Sequence, residues 1–232
     1  MEIIAEIGQN HNGDMQLARR LIAEAKATGA AVAKFQVYDA RALFPKEGNE
    51  WFDYNCKTEL SRSDVETLAR ECEGQGIEFM ASVFDVERVG WLEDVGMRRY
   101  KIASRSVRDR ELIETVAETG KPMLVSLGMW DGSEFPKLSS PGGVEYLYCV
   151  SKYPTEMSDL HFSKVDFSRY AGFSDHTIGI EAATIALARG ARIIEKHFTL
   201  DKTMHGPDHS GSMTPAELAA LFRFQNNLAL AL

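Results

Sequence analysis

Residues 172–198 read GFSDHTIGIEAATIALARGARIIEKHF. With Tyr170 and Ala171 before it, the first part (170–175) is a short apolar run. Residues 178–190 carry apolar side chains at helical spacing and end on Gly190. Residues 192–198 form a second apolar run. Strand, helix and strand in so short a stretch is one βαβ unit, which argues for parallel strands. Both strands run into a histidine, His176 in SDHT and His197 in EKHF. Adjacent parallel strands lie about 4.8 Å apart, so two imidazoles at one level can share a divalent ion. A pair of hydrogen-bonded core histidines fits the spacing as well, and the spacing alone leaves both readings open.

The alternation extends back to the N-terminus. Strands are expected at 2–8, 31–38, 78–84, 99–104, 122–128 and 145–150, and helices at 14–29, 61–76, 85–96, 107–120 and 214–232. Gly29 closes the first helix in the manner of a C′ glycine. Ser61 or Ser63 supplies an N-cap, and Pro215 sits in the first turn of the last helix. Pro136, Pro141, Gly142 and Gly143 break the helix due after the fifth strand, and 158–169 is only weakly helical. Eight strands, most followed by a helix, are what a closed (β/α)8 TIM barrel needs. The expectation is one barrel domain over 1–232, with no second domain and with the helices after strands five and six reduced. An open doubly wound sheet is the alternative.

Bulk properties narrow the function. The 232 residues carry a formal charge of −8, which argues against a general nucleic-acid binder but leaves room for a local basic pocket. Three cysteines without a CxxC pattern read as reduced thiols of a cytoplasmic protein. Neither a signal peptide nor a membrane-length apolar stretch is visible. The aromatic stretch 51–54 (WFDY) reads as a lid or as packing under a long loop. The apolar end 228–232 (LALAL) reads as a subunit contact or as closure of the barrel.

In a barrel, chemistry sits at the C-terminal ends of the strands. The polar residues there are Glu6, Asn10 and His11; Lys34 and Gln36; Ser82; Lys101 and Ser104; Ser126; Ser151 and Tyr153; Ser174, Asp175 and His176; and Glu195, Lys196 and His197. A strand buried on both faces should be almost wholly apolar. Lys34 and Lys101 lie inside such strands, and an unpaired buried ammonium costs several kcal/mol, so roughly that much must be offset by an anion. A structural pair with Glu6 or Glu195 answers this. So does a bound phosphate or carboxylate, and the nearby hydroxyls favour that second answer.

The stretches AEIGQNHNGDMQLARRLIAEAKATGA, AKFQ, YKIAS, KPMLVSLGM, YPT, GFSDHTIGIEAA, IIEKHFTLDKTMHGPDH and SMTPAEL, in this order, resemble the sialic acid synthases. That family comprises N-acetylneuraminate synthase and relatives that make pseudaminic, legionaminic and spore-coat sugars. The resemblance implies a TIM barrel that condenses phosphoenolpyruvate with an aldose, releasing phosphate and a nonulosonic acid, with Mn2+ or Mg2+. It implies that His176 and His197 hold the metal, and that Lys34 and Lys101 bind phosphoenolpyruvate with Ser82, Ser104, Ser126, Ser174 and Tyr153. It places Glu6, Asn10 and Asp208 near the sugar. The implied chemistry is attack of C3 of the enol phosphate on an open-chain aldehyde polarised by the metal, then addition of water at C2 and loss of phosphate.

Three departures bear on function. The resemblance implies a compact form lacking the family's C-terminal antifreeze-like domain. That domain reaches the partner's site, so the expected homodimer loses part of its usual basis. The family motif Lys-Ile-Gly-Ser-Gly-Glu reads KIASRS, so Ser106 stands where a glutamate is thought to act and Arg105 replaces a glycine. Ser151 and Leu127 replace a usual Asn and Thr. These changes fall on the sugar side. They leave a second reading open, a barrel that binds phosphoenolpyruvate or a sugar without full synthase activity. A pyruvate-type aldolase is a third, with no lysine placed for a Schiff base over phosphate binding. Arg105 reads as a contact to an acidic or phosphorylated acceptor, or as a surface arginine paired with a carboxylate.

Overall fold

The computed structural model describes residues 1–232. Eight parallel strands pair in chain order: β1 (Glu2–Gly8), β2 (Val32–Val37), β3 (Glu78–Val83), β4 (Tyr100–Ile102), β5 (Met123–Ser126), β6 (Val144–Cys149), β7 (Gly172–Asp175) and β8 (Ile193–His197). β1 pairs with both β2 and β8, which closes the barrel and excludes the open sheet.

The period-two alternation of strands sorts each strand's residues between lumen and helix layer. Ile4, Val32, Met80, Leu124, Leu147 and Ile193 belong to a small buried apolar cluster separate from the main core. Two residues further along the same strands stand Glu6, Lys34, Ser82, Ser126, Cys149 and Glu195, all buried. The lumen is thus apolar toward the strands' N-terminal ends and polar toward their C-terminal ends. The intervening residues, such as Ala5, Ala33, Phe35, Ala81, Val125 and Ile194, pack outward in the main core. At the N-terminal mouth Arg99 forks onto Glu2 (2.7 and 2.8 Å) and Glu78 (2.8 and 3.2 Å).

Helices α1 (Met15–Thr28), α4 (Arg62–Gln75), α5 (Val86–Asp94), α6 (Arg110–Glu118), α7 (Glu181–Ala188) and α8 (Pro215–Ala231) surround the strands. Ser61, not Ser63, caps α4 in a reciprocal box with Asp64, and Thr214 does the same for α8 with Glu217. Two short helices, α2 (Ala40–Leu43) and α3 (Phe52–Lys57), lie in what reads from sequence as a plain loop. Between β5 and β6 there is no helix, and between β6 and β7 only the 3-10 turns Met157–Asp159 and Phe162–Lys164. Edge-to-face and tilted aromatics cover the gap: Phe135 lies 4.8 Å from Tyr146 and 4.7 Å from Tyr170, and Phe162 lies 5.1 Å from Phe173, centroid to centroid.

Tyr54 is buried, as packing requires, while Trp51 reaches the cavity described below. Of the two readings of 228–232, closure of the barrel holds only for Leu228, which packs against the core. Leu218 and Leu221 of α8 are likewise buried, whereas Leu230 and Leu232 are exposed. No helix is long and apolar enough to cross a membrane.

Candidate active site

A cavity of about 680 Å³ opens at the C-terminal ends of the strands. Its floor is the polar lumen layer. Lys34 Nζ lies 2.7 Å from Glu6, 3.4 Å from Glu195 and 3.0 Å from Ser82 Oγ. Lys101 Nζ lies 3.4 Å from Glu195, which also accepts from Ser174 Oγ at 2.8 Å. The structural pairing, one of the two readings of the lysines, is therefore present: the two lysines share two carboxylates. The sharing is unequal. Burial opposes the charge on Lys34, but Glu195 and Glu6 outweigh it and raise its pKa. Lys101, with Glu195 alone and Lys34 beside it, is pushed down by burial. Burial pushes Glu195 up, yet Lys101, Lys34 and the Ser174 hydroxyl hold it at about 2.

Ser126 Oγ and His197 Nδ1 are buried in this lining without any hydrogen-bond partner. Buried polar atoms are rarely left so, and both serve a ligand's atoms naturally. Gly8, at φ +53°, allows the crowding around them. A Cβ there would lie 3.2 Å from Glu6 and Gln36 and 3.3 Å from His197.

Register partners Glu6 and His197 bring the second histidine to the level of the carboxylates. His176 stands beside it, the ring centroids 6.1 Å apart. Because a carbonyl can only accept, His176 Nδ1–H donates to Val150 O (3.1 Å), leaving Nε2 with its lone pair, 3.0 Å from Tyr153 Oη. Burial pushes His176 down, which keeps it neutral. Nε2 therefore accepts from the Tyr153 hydroxyl; a carbonyl-anchored imidazole whose outer nitrogen is unprotonated is how metal-binding histidines are usually oriented. No third His, Cys, Asp or Glu joins them in a metal-ligating group. The pair suits an open site completed by substrate and water, not a closed structural site.

Of the residues expected from sequence, Glu6, Lys34, Ser82, Lys101, Ser104, Arg105, Ser126, Tyr153, Ser174, His176, His197 and Asp208 all line the cavity. Asn10 does not. Its amide donates to Phe198 O and Ser212 Oγ, both at 2.9 Å, which fastens the β1 loop to the segment after β8. Ser106 is buried and also stays out of the lining. Arg105 pairs with no carboxylate: it donates to Leu43 O at 3.1 Å and lies 5.3 Å from the Phe44 ring.

Sequence reasoning missed Cys149, although its place two residues after Leu147 on β6 marks it for the lumen. It also missed Gln9, Phe44, Asn49 and Asn55, which line the wall. Gln9 is held by Tyr38 Oη (2.7 Å) and Asn55 Oδ1 (3.2 Å), and burial raises the Tyr38 hydroxyl to about 12. Gly128 lets this side close up. A Cβ there would lie 2.4 Å from Ser151 Oγ and 3.0 Å from Ser104 Oγ.

A closed parallel barrel with a polar cavity at the C-terminal ends of its strands, lined by paired lysines and carboxylates and by two neighbouring imidazoles, has the layout of a TIM-barrel enzyme. Comparison with known proteins makes this specific. The NeuB family model matches residues 21–232. An uncharacterized protein of Methanocaldococcus jannaschii is 37% identical over 98% of this chain and 70% of its own length. The N,N'-diacetyllegionaminic acid synthase of Legionella pneumophila is 35% identical over 94% of this chain and 69% of its own. The crystal structure of N-acetylneuraminic acid synthetase from Leptospira borgpetersenii, in complex with citrate, superposes with a TM-score of 0.91 at 35% identity, covering 99% of this chain and 84% of that one. The chain belongs to the NeuB family, whose named members here are sugar-acid synthases, and the resemblance read from its motifs is correct.

Proposed function

We propose that this enzyme condenses phosphoenolpyruvate with an open-chain aldose to give a sialic-acid-like nonulosonic acid and inorganic phosphate, with a divalent ion at His176 and His197. The observation that carries the reading is the floor of the cavity: two buried ammonium groups beside a buried, unpartnered Ser126 hydroxyl. Phosphoenolpyruvate offers a phosphate and a carboxylate to such donors.

Lys34 and Lys101 receive the anionic groups and carry charge toward the departing phosphate oxygen. Ser82, Ser126 and Ser174 supply directed donors. C3 of the enol phosphate bonds to the aldehyde carbon, water adds at C2, and the C2–O bond to phosphate breaks. A proton is delivered to the aldehyde oxygen, and the added water loses one. We assign this exchange to Asp208, whose carboxylate caps nothing, and to Glu6, which accepts from Gln36 at 3.0 Å and pairs with Lys34; both line the cavity. His176 and His197, neighbouring imidazoles of which one is anchored through a carbonyl and the other has a buried unpartnered nitrogen, would hold a divalent ion. Such an ion, Mn2+ or Mg2+, would supply Lewis-acid polarisation of the aldehyde when bound.

Calorimetry with Mn2+ present tests the binding step: phosphoenolpyruvate binds the wild type, and Lys34→Ala or Lys101→Ala abolishes it. No binding to the wild type overturns the proposal. A second reading, binding without turnover, draws on Ser106, a hydroxyl outside the cavity where the family carries a glutamate. Phosphate release with a panel of aldoses separates the two.

A further inference from the structure

Four cationic side chains other than histidine line the cavity: Lys34, Lys101, Lys196 and Arg105. Three are neutralised within the protein. Lys34 has Glu6 and Glu195, Lys101 has Glu195, and Lys196 has Asp175 at 3.0 Å. Arg105 alone has no carboxylate. One of its five N–H donors is used, on the Leu43 carbonyl, and its plane is held near the Phe44 ring. These two contacts hold the guanidinium on the cavity wall while leaving donors free.

Its position in the chain separates Arg105 from the phosphoenolpyruvate floor. Lys101 lies within β4, whereas Arg105 is in the 3-10 turn Ser104–Ser106 beyond the strand's end. Its contacts are with the loop after β2, the same segment that brings Asn49 and Trp51 to the lining. The wall so formed pairs an aromatic plane and amides, suited to a sugar, with one oriented cation. A planar fork of donors matches a carboxylate or a phosphate in two-point contact, and such a contact is strongest where charge is partly desolvated.

We infer that Arg105 defines an anion subsite at the rim, and that the acceptor is an aldose bearing a phosphate monoester or a carboxylate away from its reacting carbonyl. The inference rests on the reading of this cavity as a phosphoenolpyruvate–aldose synthase. It adds the chemical class of the acceptor and the residue that selects it.

The test compares three acceptors of one stereochemistry: the neutral 2-acetamido aldohexose, its 6-phosphate and the corresponding uronic acid. Each is assayed with phosphoenolpyruvate and Mn2+ by phosphate release, and by calorimetry on the phosphoenolpyruvate-loaded protein. The wild type should favour one anionic acceptor over the neutral one by about 10- to 100-fold in kcat/KM, the worth of a hydrogen-bonded charge contact. The better of the 6-phosphate and the uronic acid identifies which anion the subsite takes. Arg105→Gln should remove the preference through KM with kcat little changed, Arg105→Lys should keep part of it, and Arg105→Glu should reverse it. Phosphoenolpyruvate affinity reports the floor separately. If it is normal in wild type and variants while the acceptors are not discriminated, or no acceptor binds, the anion subsite is refuted. If phosphoenolpyruvate itself fails to bind the wild type, the synthase reading fails and the inference falls with it.

Discussion

Glu195 is the shared counter-ion of the floor, and neutralising it should move stability and anion affinity in opposite directions. Its carboxylate lies 3.4 Å from Lys34 and 3.4 Å from Lys101, and Lys101 has no other carboxylate. Glu195→Gln keeps the shape and an acceptor for Ser174 but removes the charge. At an effective dielectric of about 20, a contact of this length is worth roughly 5 kcal/mol gross. Breaking a buried pair by removing one partner typically costs about 3–5 kcal/mol. Lys101 limits the loss by releasing its proton, toward which burial already pushes it. A cost of about 3 kcal/mol follows, read as a lower urea midpoint at pH 7. The sign of its pH dependence is fixed. A lysine depressed in the folded state binds fewer protons than the unfolded one, whose ordinary value is 10.5, so the deficit shrinks as pH rises toward that value. Binding behaves differently. Lys34 and Lys101 balance Glu6 and Glu195 in the native floor, and the variant gains one net positive charge when Lys101 takes its proton back as the anion binds. Phosphoenolpyruvate and inorganic phosphate should bind about 10-fold more tightly at pH 6, with proton uptake visible as a buffer-dependent calorimetric enthalpy. Unchanged stability, or weaker anion binding at pH 6, would refute the account of Glu195 as a counter-ion the ligand displaces.

Other perturbations test the frame around the site. Arg99→Met at the N-terminal mouth leaves Glu2 and Glu78 without their shared cation; unfolding should show a loss of about 2–3 kcal/mol, less than for a fully buried pair, while phosphoenolpyruvate affinity stays at the wild-type value. His11 is held down to about 4 by burial, against 6.5 when unfolded, so the unfolded chain binds the extra proton between those values and stability falls with acid. Between pH 7 and pH 5 this one group should cost about 2 kcal/mol, and His11→Asn should flatten that part of the stability–pH curve. Gly172→Ala places a Cβ 1.9 Å from the Ile193 carbonyl oxygen, so β7 and β8 must part; a loss above about 3 kcal/mol in thermal or urea unfolding is expected, and a near-native midpoint would contradict the close strand approach.

The barrel was legible because its evidence is local. Alternating apolar runs and amphipathic segments locate all eight strands, and Ser61 and Pro215 mark where two of the helices start. The two short helices after β2 were not legible. Four residues of α2 and six of α3 give too little periodicity, and α3 is held by tertiary contacts such as Tyr54 Oη, 3.0 Å from Gln9 O. The weak pattern at 158–169 belongs to a region where an aromatic cluster, not a helix, packs over β6 and β7. Tyr148 lies 6.0 Å from both Phe162 and Phe173 and donates to Leu160 O at 2.5 Å. Proline and glycine announce that a helix is missing, but nothing local announces what takes its place.

The site divides in the same way. That Lys34 and Lys101 need an anion follows from the sequence, since each sits inside a strand that should be apolar. Which carboxylate each receives does not follow, because the answer depends on closure. Glu6 meets Lys34 as a register neighbour on the adjoining strand. Glu195 meets Lys101 from β8 to β4, strands at opposite positions around an eight-membered ring. Only a closed lumen brings those two together, and an open sheet would leave Lys101 without a counter-ion. The Lys101–Glu195 contact therefore couples the fold to the chemistry. The charge that makes the floor attractive to a phosphate is tolerated in the ligand-free protein because the barrel closes, and the ligand's affinity is set against that internal neutralisation.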